Sequence, residues 1–394
     1  MSDKVFIAGV GMIPFMKPGT SPHYHVMAAQ AITEALEDAG LAYEKVQQAF
    51  AGYVSGNSTC GQKAIYRVGM TGIPIFNVNN NCATGSTALF LARQAVASGV
   101  CEVALAVGFE QMTPGAISTP WTDRPVPLED FNATIEEVLG TIDIPPALRL
   151  FGAAGLTHMK KYGTRMETFA AIRAKASRHA ANNPKAVFKS VVSVEDVMKQ
   201  KVMWPGVMTR SMACPPTCGA AAAIVVSEAF AKKNGLRNDV KIAGQAITTD
   251  PAGVIESKNP IQLVGWDMAR AAAQQAYEQA GIGPQDIDVV ELHDCFAHNE
   301  LISYEALGLC GEGEGEKFVL DGDNTYGGKY VTNPSGGLLS KGHPLGATGL
   351  AQCYELTLQL RGQARERQVN GARIALQHNL GLGGACVVTV YQKN

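Results

Sequence analysis

The feature that most constrains this chain is that it repeats itself, since self-similarity at a long period fixes an architecture before any single motif does. The segment MAAQAITEALEDAG, from Met27, has a counterpart of equal span in MARAAAQQAYEQAG, from Met268. In both, apolar residues at helical spacing run into a glycine, Gly40 or Gly281, which predicts an amphipathic helix with its end cap. Past the glycines the copies stay in step. Val46 and Ile287 lie at the same distance, and each copy continues into a predicted strand (QQAFAGYV, IDVVELHD) and a polar loop. Further on, Cys82-Ala83-Thr84-Gly85 and Leu345-Gly346-Ala347-Thr348-Gly349 each open a helix. Each helix is followed by a short apolar strand, Val103 to Val107 and Ile374 to Leu376. Alternation of this kind predicts parallel sheets covered by helices, in two copies of one α/β unit.

Between Thr113 and Pro216 the pattern lapses into Pro-containing turns and one strongly charged helical stretch, Lys160 to Arg178, without a counterpart in the second copy. The expected division is a first half over 1–112 that resumes at about 217–260, an inserted loop domain over 113–216, and a second half over 261–394.

Composition narrows the partners. A net charge of −2 gives no global attraction to nucleic acid or to an anionic membrane, so an anionic ligand has to be met by a local cluster of Lys and Arg. The nine cysteines are scattered singly, which fits a reducing compartment better than a disulfide scaffold. Cys214 and Cys218 have a spacing that begins some zinc sites, but no second close pair follows, and no metal site is expected. The start, Met1-Ser2-Asp3-Lys4 and then Val5 to Gly11, reads as a first strand and not as a signal peptide. The longest apolar run, Ala220 to Val226, falls far short of the roughly 20 residues of a membrane span. The last residues match no peroxisomal or retention tripeptide. Cytoplasm is the expected compartment in a bacterium, with peroxisome or mitochondrion open in a eukaryote.

Three loops carry candidate chemistry. In Asn79-Asn80-Asn81-Cys82-Ala83-Thr84-Gly85-Ser86, a thiol at a predicted helix start meets the partial positive charge of unpaired N–H groups, which favours the nucleophilic thiolate. The plainer reading is a small buried residue, but Ala83 and Gly85 leave room for a ligand to approach. In Ser340-Lys341-Gly342-His343-Pro344-Leu345-Gly346, His343 stands nearly where the repeat places Cys82. Pseudo-twofold packing then brings thiol and imidazole together as an activated nucleophile, against a plainer role in capping a helix. In Glu291-Leu292-His293-Asp294-Cys295-Phe296, at the end of a predicted strand, His293 and Cys295 alternate and can face one side, unless Asp294 simply anchors an internal ion pair. A fourth run, His378-Asn379-Leu380-Gly381-Leu382-Gly383-Gly384, offers backbone N–H groups to an oxyanion but is not a phosphate loop.

Taken in order, NNNCATGST, HDCF, NPSGGLLSKGHPLGATG and HNLGLGG resemble the thiolase family, and in particular its sterol carrier protein-2 (SCP-x) type, from about Val5 to Tyr391. The resemblance implies a thiolase fold: two similar α/β halves in five layers (αβαβα), with a loop domain inserted in the first half. It implies an acyltransferase that cleaves a 3-ketoacyl-CoA with coenzyme A, or runs the reverse Claisen condensation, through an acyl-Cys82 intermediate and without a bound cofactor. By motif, His343 is the base for Cys82 and His293 the oxyanion-hole donor. Most thiolases have an Asn at the position of His293, and a later Cys-x-Gly that this chain lacks. As in the SCP-x type, Cys295 takes over the work of that cysteine. The N–H groups of Cys82 and of Gly381 or Gly383 form the second oxyanion hole.

His158 and Met159 stand where the family lines its pantetheine tunnel. The insertion offers Lys160, Lys161, Arg165, Arg173, Lys175, Arg178, Lys185 and Lys189 to the phosphates of CoA, with a solvated helix face as the plainer reading. A homodimer, or a dimer of dimers, with first-half strands at its interface is implied. Before Ala220 the family usually has an acidic residue where this chain reads Pro216-Thr217-Cys218-Gly219, and a structural consequence is expected there. The carrier domain that follows the thiolase in animal SCP-x proteins is not expected in this chain. The competing readings are acyl transfer to a carbon acceptor other than CoA, and a catalytically idle acyl-CoA- or lipid-binding protein.

Overall fold

The structure, a computed structural model, describes residues 4–115 and 123–394. The expected chain start at residues 1–3 and part of the Pro-containing stretch after Thr113 lie outside the described residues. The chain begins with strand β1 (Val5–Met12), helix α1 (Tyr24–Ala39), strands β2 (Gln48–Gly52) and β3 (Ile75–Val78), helix α2 (Thr84–Ala97) and strand β4 (Val103–Glu110). The segment that follows contributes helices α3 (Pro146–Tyr162) and α4 (Met166–Ala181) and a small ribbon of β5 (Val202–Trp204) and β6 (Met208–Thr209), before β7 (Gly219–Ser227) returns to the main sheet. The chain then runs β8 (Val240–Thr248), α5 (Trp266–Ala280), β9 (Val289–Glu291), α6 (Ala297–Ala306), β10 (Val331–Thr332), α7 (Thr348–Arg361), β11 (Ile374–Gly381) and β12 (Ala385–Lys393).

The strand order β10-β9-β11-β12-β8-β1-β7-β4-β2-β3 reads as one unit reflected about the single bridge Phe6–Lys241 that joins β1 to β8. The duplicated helices α1 and α5 end at Gly40 and Gly281, whose φ of 65° and 68° only glycine adopts freely, and whose N–H groups close back on the last turn. The sequence alternation predicts parallel sheets. Pairing is parallel among β3, β2 and β4 and among β10, β9 and β11, whereas β7, β1, β12 and β8 pair antiparallel. β1 and β7 are apolar almost throughout, which fits burial on both faces and carries no mark of direction.

Strand periodicity then builds the layers. On the first half-sheet, Phe6, Ala8, Leu105, Val107, Ile224 and Val226 pack on α1 (Met27, Ala31, Ile32, Ala35). Their neighbours of opposite parity, Ile7, Ala104, Ala106 and Val225, turn inward to α2 and α7. Ala375, Ile242 and Tyr391 of the second half-sheet reach the same central layer, while Val290, Leu376 and Val388 face α5 on the far side. Helix, sheet, paired helices, sheet and helix make the five layers. The two central helices start in tight contact: a Cβ on Gly85 would lie 2.7 Å from Gly346 O, and one on Gly349 would lie 2.2 Å from Ser86 N. Only glycine permits that approach, and it fixes where the two helix starts, and hence their loops, meet.

The charged stretch Lys160 to Arg178 is not one helix. Gly163, at φ 76°, ends α3, and α4 begins at Met166. Both helices pack on the second half, with Phe151 stacked on Phe296 and Phe169 packed against His298.

Candidate active site

Cys82 sits two residues before α2, on a loop knitted by its own side chains. Thr84 Oγ1 accepts from Asn80 N at 2.9 Å and donates to Asn81 O at 2.6 Å, and Asn81 takes the left-handed φ of 49°. The loop is tied to the end of β11 by Asn81 Nδ2, which donates to Leu382 O at 3.0 Å. His343 comes from the corresponding loop of the second half. The helices start in the same register at Thr84 and Thr348, so Gly346 matches Cys82 and His343 lies three residues upstream. A sulfur of Cys82 and ring nitrogens of His293 and His343 all lie within 4.8 Å of one another, and the two imidazoles meet edge to face with centroids 5.1 Å apart. Pseudo-twofold packing thus joins Cys82 to His343, and the end of β9 adds His293.

The lining is dry. His293, Cys295 and His343 are buried, and Cys82 keeps one open side. Burial pushes the Cys82 thiol up to about 12, with the Glu110 carboxylate adding to the rise; the N–H groups of Cys82 and Leu382 oppose it. The expected lowering at the helix start is therefore outweighed in the free protein. Burial also holds His343 down at about 3, with the Lys341 charge adding to it, and drives His293 well below the usual imidazole range, reinforced by His343 and His378. At neutral pH the proton rests on sulfur and both rings are neutral. Cys295 is pushed well above an ordinary thiol by burial, then by the neighbouring Cys214, Cys82 and Asp294.

Of the two backbone N–H groups that oppose the rise at the Cys82 thiol, one is its own and the other belongs to Leu382, between the Gly381 and Gly383 proposed from sequence. Gly381 serves by having no side chain: a Cβ there would lie 2.2 Å from Asn80 O. Three further groups hold the loops in place, and the sequence assigned none of them the bonds it makes. Glu110, at the end of β4, accepts from Val54 N, Ser55 N and Gly346 N at 2.8–3.1 Å. Thr217 Oγ1 accepts from His343 N at 3.2 Å, which gives the Pro216-Thr217-Cys218-Gly219 departure its structural consequence. Asp294 accepts from Leu338 N and Leu339 N at 2.7 and 3.3 Å.

The insertion's candidates separate on inspection. Arg173 is buried and donates to Ser340 Oγ at 2.7 Å, and Lys175 is buried against Glu300, so neither is placed to meet a phosphate. His158 is buried between Thr164 Oγ1 and Glu305, at 2.7 and 2.9 Å, with both ring nitrogens engaged. Lys161, Arg165 and Lys185 pair with Glu312, Glu316 and Glu34. Lys160, Arg178 and Lys189 are exposed, and Met159 is half-buried. Cys218 does not join Cys214: its thiol donates to Met112 O, while Cys214 N donates to Cys295 O at 2.8 Å. Among the described residues no helix is long and apolar enough to cross a membrane.

A duplicated five-layer α/β frame with a cysteine and two histidines between its halves defines a class of acyl-transferring enzymes. Residues 5–204 match the thiolase N-terminal domain and residues 257–393 the thiolase C-terminal domain-like family. The chain belongs to the thiolase family, on the side of its sterol carrier protein-2 type, and is an acyltransferase. It is 53% identical to sterol carrier protein 2 of Rattus norvegicus over 393 residues, covering 99% of this chain and 72% of that protein. In fold it is similar to an Ltp2-ChsH2(DUF35) aldolase (TM-score 0.83, 22% identity, 100% of this chain and 98% of that one). It is also similar to human mitochondrial 3-ketoacyl-CoA thiolase (TM-score 0.74, 20% identity, 100% and 99%). At these identities the last two show the fold alone.

Proposed function

We propose that the chain is a 3-ketoacyl-CoA thiolase that cleaves its substrate with coenzyme A through an acyl-Cys82 intermediate. The observation that carries this reading is the approach of Cys82, His293 and His343 to within 4.8 Å. His343 takes the Cys82 proton as the sulfur attacks the 3-keto carbon, so no free thiolate has to exist beforehand. The oxyanion formed at that carbon accepts from the N–H groups of Cys82 and Leu382. The bond between the α and keto carbons breaks, and the departing acetyl-CoA enolate keeps its oxygen on His293 and His343 while its carbon is protonated by Cys295. A second CoA, its thiol deprotonated by the same Cys295, attacks the acyl group; the shortened acyl-CoA departs, and the Cys82 sulfur takes back the proton held on His343. The high proton affinity of Cys295 suits this use, since a buried thiolate recovers its proton readily from CoA.

The exposed Lys160 and Arg178 are the residues of the insertion, read as a loop domain over about 113–216, that best fit the CoA phosphates, beside Met159. The edge strand β3, with Tyr66, Met70 and Phe76 exposed nearby, supports a homodimer. The test is CoA-dependent loss of 3-ketoacyl-CoA absorbance from acetoacetyl-CoA upward, with Cys82→Ala as control. Turnover that vanishes in the variant is expected; no turnover at any chain length refutes the reaction.

A further inference from the structure

The proposed reaction asks two imidazoles in one pocket to do opposite things: His343 accepts a proton and His293 donates a hydrogen bond. Which nitrogen of each ring carries the proton is set by what the other nitrogen meets. For His343 the answer is direct. Its Nδ1 lies 2.6 Å from Thr348 Oγ1, and that hydroxyl spends its own proton on Pro344 O at 3.1 Å. With its proton on Pro344 O the hydroxyl accepts from Nδ1–H, and Nε2 is then a bare lone pair, buried and without a protein partner.

For His293 the polarity comes from a chain of buried side chains. Its Nδ1 lies 3.1 Å from Asn379 Nδ2. The same Nδ2 lies 3.0 Å from Cys82 O, a carbonyl that can only accept, so this end of the amide is the NH2. The other end, Oδ1, receives the Ser86 hydroxyl at 2.8 Å. Ser86 is free to donate there because its oxygen accepts from Gln377 Nε2 at 2.7 Å. That nitrogen is fixed in turn by Gly349 O at 2.7 Å, and Tyr391 closes the chain on Gln377 Oε1. Two backbone carbonyls, Cys82 O in a loop of the first half and Gly349 O in the first turn of α7, therefore set the direction independently.

We propose that Asn379 is the positioning residue that holds His293 neutral with its proton on Nε2, opposite in tautomer to His343. His293 is thereby a donor and His343 an acceptor within a pair whose pocket would otherwise leave both ambiguous. The same polarity opposes a metal at Cys82, His293 and His343. A cation on His293 Nε2 would move the proton to Nδ1, setting N–H against the N–H of an amide that cannot turn. The use made of the tautomers rests on the thiolase reading above; the tautomers themselves do not.

Histidine-selective 15N labelling of the full chain, read by long-range proton–nitrogen correlation, reports both nitrogens of each ring, with His293 assigned by its loss in His293→Gln. The expected wild-type result is an unprotonated Nδ1 and a protonated Nε2; a protonated Nδ1 overturns the proposal without any further variant. In Asn379→Asp the donor becomes an acceptor, so Nδ1 is protonated at every pH and the Nε2 proton is lost as pH rises. The kcat then gains a falling alkaline limb, ending ~10²-fold or more below its acid value, the scale of a lost oxyanion-hole donor. A merely structural role would lower kcat evenly across pH. Asn379→Ala, which keeps the volume small, is expected to show both tautomers in exchange; an unchanged single tautomer there refutes the assignment. Protein with the expected tautomers but no thiolysis would sink the reaction and leave this inference standing; thiolysis with His293 protonated on Nδ1 would do the reverse.

Discussion

Lys341 and Glu291 form an ion pair at the centre of the site's support, and breaking it has a predictable cost. Both are fully buried, with Lys341 Nζ 3.2 Å from Glu291 Oε2, and Lys341 stands two residues before His343. Glu291 also accepts from Ser335 N at 3.0 Å and from Ser335 Oγ at 2.8 Å. In Lys341→Met the carboxylate stays buried with only those two bonds. Breaking one side of a buried pair costs ~3–5 kcal/mol. The two surviving bonds solvate the charge in part, so the loss is expected near the lower end, ~3 kcal/mol, still a large share of a typical folding free energy of ~5–15 kcal/mol. Urea unfolding at pH 7 reads it as a lowered midpoint with an unchanged slope. Adding Glu291→Gln removes the orphan charge and keeps an acceptor and a donor for Ser335, so the double variant is expected to be more stable than Lys341→Met alone. A single-variant loss under ~1 kcal/mol, or a double variant as unstable as both singles combined, would refute the reasoning.

Three further outcomes follow from the same structure. In Gly155→Ala the new Cβ would lie 2.2 Å from His298 Cδ2, on a ring packed against Phe169 with centroids 4.1 Å apart and bonded at 2.9 Å to Val207 O. The ring has nowhere to go, so a loss of ~1–3 kcal/mol is expected, and an unchanged melting temperature would count against the packing. Burial depresses His298 to about 4 and His179, His343 and His378 to about 3, so each takes up a proton near pH 6.5 only on unfolding. Their stability contribution is whole above pH 6.5 and is lost as pH falls toward 3; the urea midpoint should drop between pH 6.5 and 4.5, less steeply in His298→Asn, and a flat midpoint contradicts this. With the Cys82 thiol raised to about 12, iodoacetamide alkylation of Cys82 in the free protein should quicken ~tenfold per pH unit from 7 to 9, whereas a plateau already reached at pH 7 would mean a standing thiolate–imidazolium pair.

What was legible in the sequence was whatever periodicity or repetition carries. The two copies of the helix ending at Gly40 and Gly281 predicted matching positions in two half-sheets, and the repeated Ala-Thr-Gly placed Cys82 and His343 face to face. What was not legible depends on partners far along the chain. Arg173 and Lys175 read as cations open to the CoA phosphates because no acid stands within a helical turn of either; their partners, Ser340 and Glu300, lie 167 and 125 residues away. Leu382 hides for another reason: a backbone N–H has no residue type, so the glycines on either side drew attention while the donor between them did not. The strand directions of β1 and β7 were equally silent, since a strand apolar almost throughout reads the same either way.

On the proposed reading, the repeat also explains how one frame yields a nucleophile in one half and a base in the other. Thr84 and Thr348 are equivalent first residues of α2 and α7, and each hydroxyl donates to a carbonyl just upstream, Asn81 O or Pro344 O. That leaves each oxygen free to accept within its own loop. In the first half the site is filled by Asn80 N, which curls the backbone so that Cys82 stands at the helix start. In the second it is filled by His343 Nδ1–H, which turns the ring's bare nitrogen toward the pocket. A single capping device thus does backbone work on one side of the pseudo-twofold axis and orients a base on the other. The asymmetry the chemistry requires comes from what precedes the threonine, and the position of the threonine itself is common to both halves.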